Sequence, residues 1–157
     1  MKKARGFTLI EMVVVMVILG ILAAVALPKF VDMTTQARQA KMNGAVGAVQ
    51  SSITLIHAKW LAQGSPTATA AGTTVAYEGG TLDVFTDMAF GYPKASAFLL
   101  SGKNLAGMDS SYATSGTTTV TITDKDKTTC AFTVADATAT GTPPLVTTTA
   151  ITTSGNC

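Results

Sequence analysis

One carboxylate in this chain stands where its neighbours offer it no counter-charge. Glu11 lies near the start of an apolar run from Phe7 to Leu27, behind a short basic stretch holding Lys2, Lys3 and Arg5. No further basic residue appears until Lys29. On insertion scales a lone carboxylate in a bilayer-crossing helix costs about 2.5–3.5 kcal/mol, so it needs a partner. Elsewhere the residue types that do catalysis are sparse. His57, the one histidine, lies on a helical stretch beside apolar neighbours. Gly102-Lys103-Asn104 lacks the upstream glycine spacing and the Ser/Thr of a phosphate loop. Asp124 and Asp126 alternate as calcium ligands do, but Lys125 stands between them and Lys127 follows, which favours a solvated hairpin turn. Two cysteines and the distant His57 give no recognised ligand spacing. We therefore expect no catalytic residue, no metal and no cofactor, and the chain does not read as an enzyme.

The element that carries Glu11 is long. The 21 residues from Phe7 to Leu27 span about 31 Å as a helix, against a hydrocarbon core of roughly 30 Å. The basic residues ahead of the run hold the N-terminus in the cytoplasm and send the rest outward. Three readings fit such a segment: a secretory signal peptide cut after Ala24-Val25-Ala26, a plain single-span anchor, or a processed filament subunit. Glu11 inside the run, and helix-compatible sequence for another thirty residues after Pro28, argue against the first. The second accounts for length and charge but not for the positions of Gly6 and Glu11.

Beyond Pro28 the pattern changes. Met42, Val46, Val49, Ile53, Ile56 and Trp60 recur at steps of four and three along one helical face. Arg38, Gln39, Lys41, Asn43, Gln50 and Lys59 fall largely elsewhere. A helix apolar all round thus becomes one-sided, as expected where it leaves lipid and packs on a globular domain. Gly20 and Pro28 mark points where it can kink or loosen, and Gly64-Ser65-Pro66 ends it. The remainder is low in charge and rich in Thr, Gly, Ala and Ser. Thr73 to Tyr77 and Thr81 to Thr86 read as strands around Glu78-Gly79-Gly80. A brief helix from Lys94 to Leu100 follows the Gly91-Tyr92-Pro93 turn. Thr117 to Thr123 and Cys130 to Val134 read as strands joined by Asp124-Lys125-Asp126-Lys127, and Thr147 to Thr153 as a weaker last strand. The fold class is α+β: a long N-terminal helix whose outer half packs on a small antiparallel sheet.

A net charge of +2 is too small to argue for nucleic-acid binding. Basic residues are spread along the chain, and the ten aromatics are not interleaved with them. The Thr-rich tail from Thr138 to Thr153, with Pro143 and Pro144, suits either O-linked sugars or plain edge strands and loops.

Gly6-Phe7-Thr8-Leu9-Ile10-Glu11, followed by Met12 to Leu27 and Pro28, resembles the class III signal of type IV pilins and type II secretion pseudopilins. In overall plan, and in Gly91-Tyr92-Pro93, the rest resembles type IVa major pilins of the mannose-sensitive haemagglutinin type. The resemblance implies a pilin fold divided into a leader at 1–6, a transmembrane and filament-core helix at 7–28, an amphipathic helix at 29–63 and a β-rich region at 64–157. It implies cleavage between Gly6 and Phe7 by prepilin peptidase, N-methylation of Phe7, and pairing of Glu11 with the Phe7 ammonium of a neighbouring subunit. That pair would set registry more than it adds stability, because both charges lose hydration. Gly20 to Pro28 would unwind on assembly. Implied partners are further copies of the chain, the peptidase, the assembly platform with its ATPase, and the inner membrane before export to the cell surface. On the oxidising side of that membrane Cys130 and Cys157 would bridge and bound a loop, as in many type IVa pilins; two unrelated thiols are the other possibility. Two alternatives stay open: a type II secretion pseudopilin, and a single-span anchored binding domain that never polymerises and keeps its leader.

Overall fold

Helix α1 occupies Leu9–Ala62 and is broken neither at Gly20 nor at Pro28. Proline keeps a helix-compatible φ and forfeits one backbone bond, so a single proline is tolerated in a helix of 54 residues. The computed structural model describes residues 7–67, 72–77, 80–99, 105–153 and 155–157. The leader at 1–6 with Gly6, the loop residues Glu78 and Gly79, Leu100, and Gly102-Lys103-Asn104 lie outside the described residues.

The chain divides into two units, Met1–Ala37 and Arg38–Cys157. In the first, the apolar side chains from Leu9 to Phe30 are exposed on every side of the helix, as the all-round apolar sequence requires. In the second, Met42, Ala45, Val46, Val49, Ile53 and Ile56 are buried, and Trp60 packs half-buried beside them. These are the residues whose spacing marks the helical face, with Ala45 added.

The helix ends where Gly64 and Ser65 enter left-handed backbone, at φ +83° and +54°. Ser65 N–H donates to the Trp60 carbonyl at 3.1 Å and Gly64 N–H to the Leu61 carbonyl at 3.0 Å. This pair of bonds is a Schellman motif, which satisfies carbonyls the helix leaves open.

Strands β1 (Thr74–Tyr77) and β2 (Gly80–Asp83) form an antiparallel hairpin. β2 stops earlier than the threonine pattern suggests because the Asp83 carboxylate accepts the N–H groups of Phe85 and Thr86, forcing a turn. The two-residue strands β3 (Met88–Ala89) and β4 (Tyr92–Pro93) pair across Phe90 and Gly91. Both turn residues take positive φ, +53° and +83°, so Gly91 lies in a tight turn as expected while Tyr92 and Pro93 are strand. Helix α2 (Ala95–Leu99) follows.

The main sheet runs in the order β5 (Tyr112–Ser115), β6 (Thr119–Asp124), β7 (Lys127–Ala135), β8 (Leu145–Thr147), antiparallel throughout. β6 and β7 are the strands expected from alternation, with Val120, Ile122, Phe132 and Val134 inward and fully buried. β5 has no counterpart among the expected elements. The expected last strand at Thr147 to Thr153 is corrected: β8 ends at Thr147 and Thr149–Thr152 form the helical turn α3. There the hydroxyls of Thr152 and Thr153 both donate to the Thr149 carbonyl, and Ile151 enters the core.

Candidate functional site

The N-terminal end of α1 is built by Thr8 and Glu11. The Glu11 carboxylate accepts the Thr8 N–H at 3.2 Å and the Thr8 hydroxyl at 3.1 Å. In return Glu11 N–H donates to the Thr8 hydroxyl oxygen at 3.3 Å. This is a capping box, with Thr8 as N-cap and Glu11 three residues on. Glu11 is therefore not without a partner in the single chain, although none of these contacts neutralises its charge. Thr8 is the residue that sequence reasoning missed; the signal was the spacing Thr8-Leu9-Ile10-Glu11. Phe7 precedes the box and is 79% exposed. Gly6, the other half of the expected scissile pair, lies outside the described residues. The helix behind the box is long and apolar enough to cross a membrane, and none of that stretch is buried within the chain.

Cys130 and Cys157 are joined in a disulfide, with Cα atoms 4.6 Å apart and both residues buried. The bridge closes the segment holding β8 and α3 onto the middle of β7. Thr129 reinforces it by donating its hydroxyl to the Asn156 carbonyl at 2.6 Å.

His57 packs against two aromatic rings. Its ring stacks on Tyr92 at 4.0 Å between centroids and lies 5.6 Å from Trp60, with Nδ1 2.9 Å from the Gly91 carbonyl oxygen. Gly91 is required at this point: a Cβ there would lie 2.6 Å from the Trp60 ring.

Asp124 overturns the expectation of a solvated turn. The turn between β6 and β7 exists, but the Asp124 side chain is buried and pairs with Lys41 Nζ at 3.2 Å. The physical reason is alternation, since Asp124 follows Val120 and Ile122 on the inward face of β6. Lys41 also lies 4.7 Å over the Tyr112 ring, and the Tyr112 hydroxyl donates to the Lys41 carbonyl. Burial pushes the Tyr112 phenol up from its ordinary pKa, Lys41 opposes that, and Asp109 and Asp124 add to it. Asp109, exposed, is held below the ordinary carboxylate range by the Ser111 hydroxyl and N–H.

Residues 1–27 match the family model described as the prokaryotic N-terminal methylation motif. Over 65 residues the chain is 48% identical to the type IV narrow pilus major component PilA5 of Thermus thermophilus, covering 41% of this chain and 54% of that one. It is 44% identical over 59 residues to the type IV major pilin protein PilE1 of Neisseria gonorrhoeae, 36% of each chain. Over 51 residues it is 41% identical to a fimbrial protein of Pseudomonas aeruginosa, 32% of this chain and 33% of that one. The chain thus spans between a third and about half of these relatives' length. No solved structure matches it.

Proposed function

We propose that this chain, whose class III signal and N-terminal helix are those of a type IV pilin, is a structural subunit of a type IV pilus. It enters the inner membrane through α1 with its N-terminus in the cytoplasm. Prepilin peptidase cuts between Gly6 and Phe7, and the new Phe7 amine is methylated and keeps its charge. Subunits then polymerise through the apolar first unit. The observation that carries this reading is the capped helix start itself: Phe7 and Glu11 head a helix whose apolar side chains are exposed all round. Such a surface must be covered, by lipid before assembly and by neighbouring helices after it. Glu11 exchanges part of its capping box for the Phe7 ammonium of a neighbour, which fixes the height at which a subunit enters. Adhesion, attachment or motility belongs to the fibre and not to a site in one subunit. The disulfide-bounded C-terminal segment favours a pilin over a type II secretion pseudopilin.

Intact mass and N-terminal sequencing of protein sheared from the cell surface test this reading. A chain beginning at N-methylated Phe7, lighter by two hydrogens for the bridge, is expected. A chain beginning at Met1 and confined to membranes would replace the filament subunit by an anchored domain.

A further inference from the structure

Among the described residues Asp124 is the one charged side chain that is buried, and it is fixed on both sides. One carboxylate oxygen accepts the Asp126 N–H at 3.0 Å, and the other meets Lys41 Nζ. Lys41 is in turn held by the Tyr112 ring and by the Tyr112 hydroxyl on its carbonyl. Two residues earlier, the Gln39 amide donates to the Ile151 carbonyl at 3.4 Å. One turn of α1 is thereby tied to β5, to the β6–β7 turn and to α3. From Met42 to Ile56 the docked face of the helix is apolar apart from Ser52, whose hydroxyl bonds back to the Ala48 carbonyl, and among the described residues His57, Lys59 and Trp60 make the next polar ties from α1 to the rest of the domain.

We infer that Lys41, Asp124 and Tyr112 form a clasp that fixes where the docked part of α1 begins, so that a pull or a local melting arriving along the helix stops at this turn. Peeling the apolar face exposes one side chain after another, each at a cost in proportion to its area, whereas parting this pair leaves the buried Asp124 carboxylate without the half-buried Lys41 that neutralises it, a larger single step. Opening is therefore all-or-none at the clasp. The apolar stretch behind it is peeled only after the clasp has broken. The clasp lies wholly within the second unit and holds whether or not the chain polymerises, so its test fails independently of the filament reading.

Amide hydrogen exchange of the full chain in detergent micelles, read by mass spectrometry, tests it. In Asp124→Asn, which keeps the size of the side chain and removes its charge, amides 40–46 exchange about tenfold faster, while 53–60 and β7 keep parent rates. Parent rates at 40–46, or equal acceleration across the whole domain, overturn the clasp. Should Asp124→Asn not fold, Tyr112→Phe decides, because it keeps the ring and deletes only the hydroxyl bond to the Lys41 carbonyl. A local acceleration of about threefold at 40–46 is then expected. Unchanged or uniformly raised exchange in that variant overturns the proposal.

Discussion

At the scale of single residues, Glu11 has two separable properties: it closes a capping box with Thr8, and it carries a charge into an apolar helix. Glutamine serves a capping box nearly as well as glutamate but has no charge. Glu11→Gln is therefore expected to leave the helix and its membrane insertion intact while lowering the yield of sheared filaments as far as Glu11→Ala does. Parent yield from Glu11→Gln, with loss only in Glu11→Ala, would reassign the residue to capping alone. Asp109 offers a second residue-level test. Bonds from Ser111 lower its folded pKa below 3.8, so its contribution is present above the unfolded value and is lost as pH falls through the folded one. Asp109→Asn is expected to unfold at lower denaturant than the parent near neutral pH, and the gap narrows as pH falls through the acid range in which the folded carboxylate takes up its proton. A gap of constant size across that range would mean the carboxylate contributes nothing by its charge.

At the scale of elements, what was legible in sequence is what is local or periodic. The docked face of α1 follows from steps of three and four, and β6 and β7 follow from alternation, because each pattern is set by the geometry of its own element. Asp124 was legible by the same rule, as the third inward position after Val120 and Ile122. Its acidic character masked this, since a charge in a turn is ordinarily solvated. β5 and α3 were not legible. Tyr112-Ala113-Thr114-Ser115 alternates only weakly, and the threonines around Ile151 suit strand and turn alike, so the contacts of Tyr112 with α1 and of Ile151 with the core decide. Two glycines separate backbone demand from packing demand. Gly64 needs positive φ but has open space around it, and Gly64→Ala is expected to cost about 1–2 kcal/mol. Gly91 needs positive φ and also meets the Trp60 ring, so Gly91→Ala is expected to cost about 2–4 kcal/mol. Denaturant melts of the two variants check the order; equal losses would mean that Trp60 yields without strain.

At the scale of the whole molecule, the two units answer to different solvents. The first exposes its apolar side chains on all sides and needs lipid or neighbouring chains. The second closes its own core with the α1 face, the main sheet and α3. The elements that close this core last in sequence are also the thinnest: β8 has three residues and α3 four. Segments so short cannot hold themselves by hydrogen bonds alone, and a large part of their retention falls to Ile151, to the Gln39 contact and to the Cys130–Cys157 bridge. The bridge spans 27 residues, and in the chain-entropy model a loop of that size stabilises by about 3–4 kcal/mol. Cys157→Ser is accordingly expected to lower the domain's stability by that order under oxidising conditions, with the loss falling first on α3 and β8. The signature is a fall in melting temperature together with early proteolysis between β7 and the C-terminus, while α1 keeps its helical signal. An unchanged melting temperature would show that Ile151 and the sheet pairing hold the segment without the bridge. The link would then serve to resist cleavage of that segment and would add little to the fold.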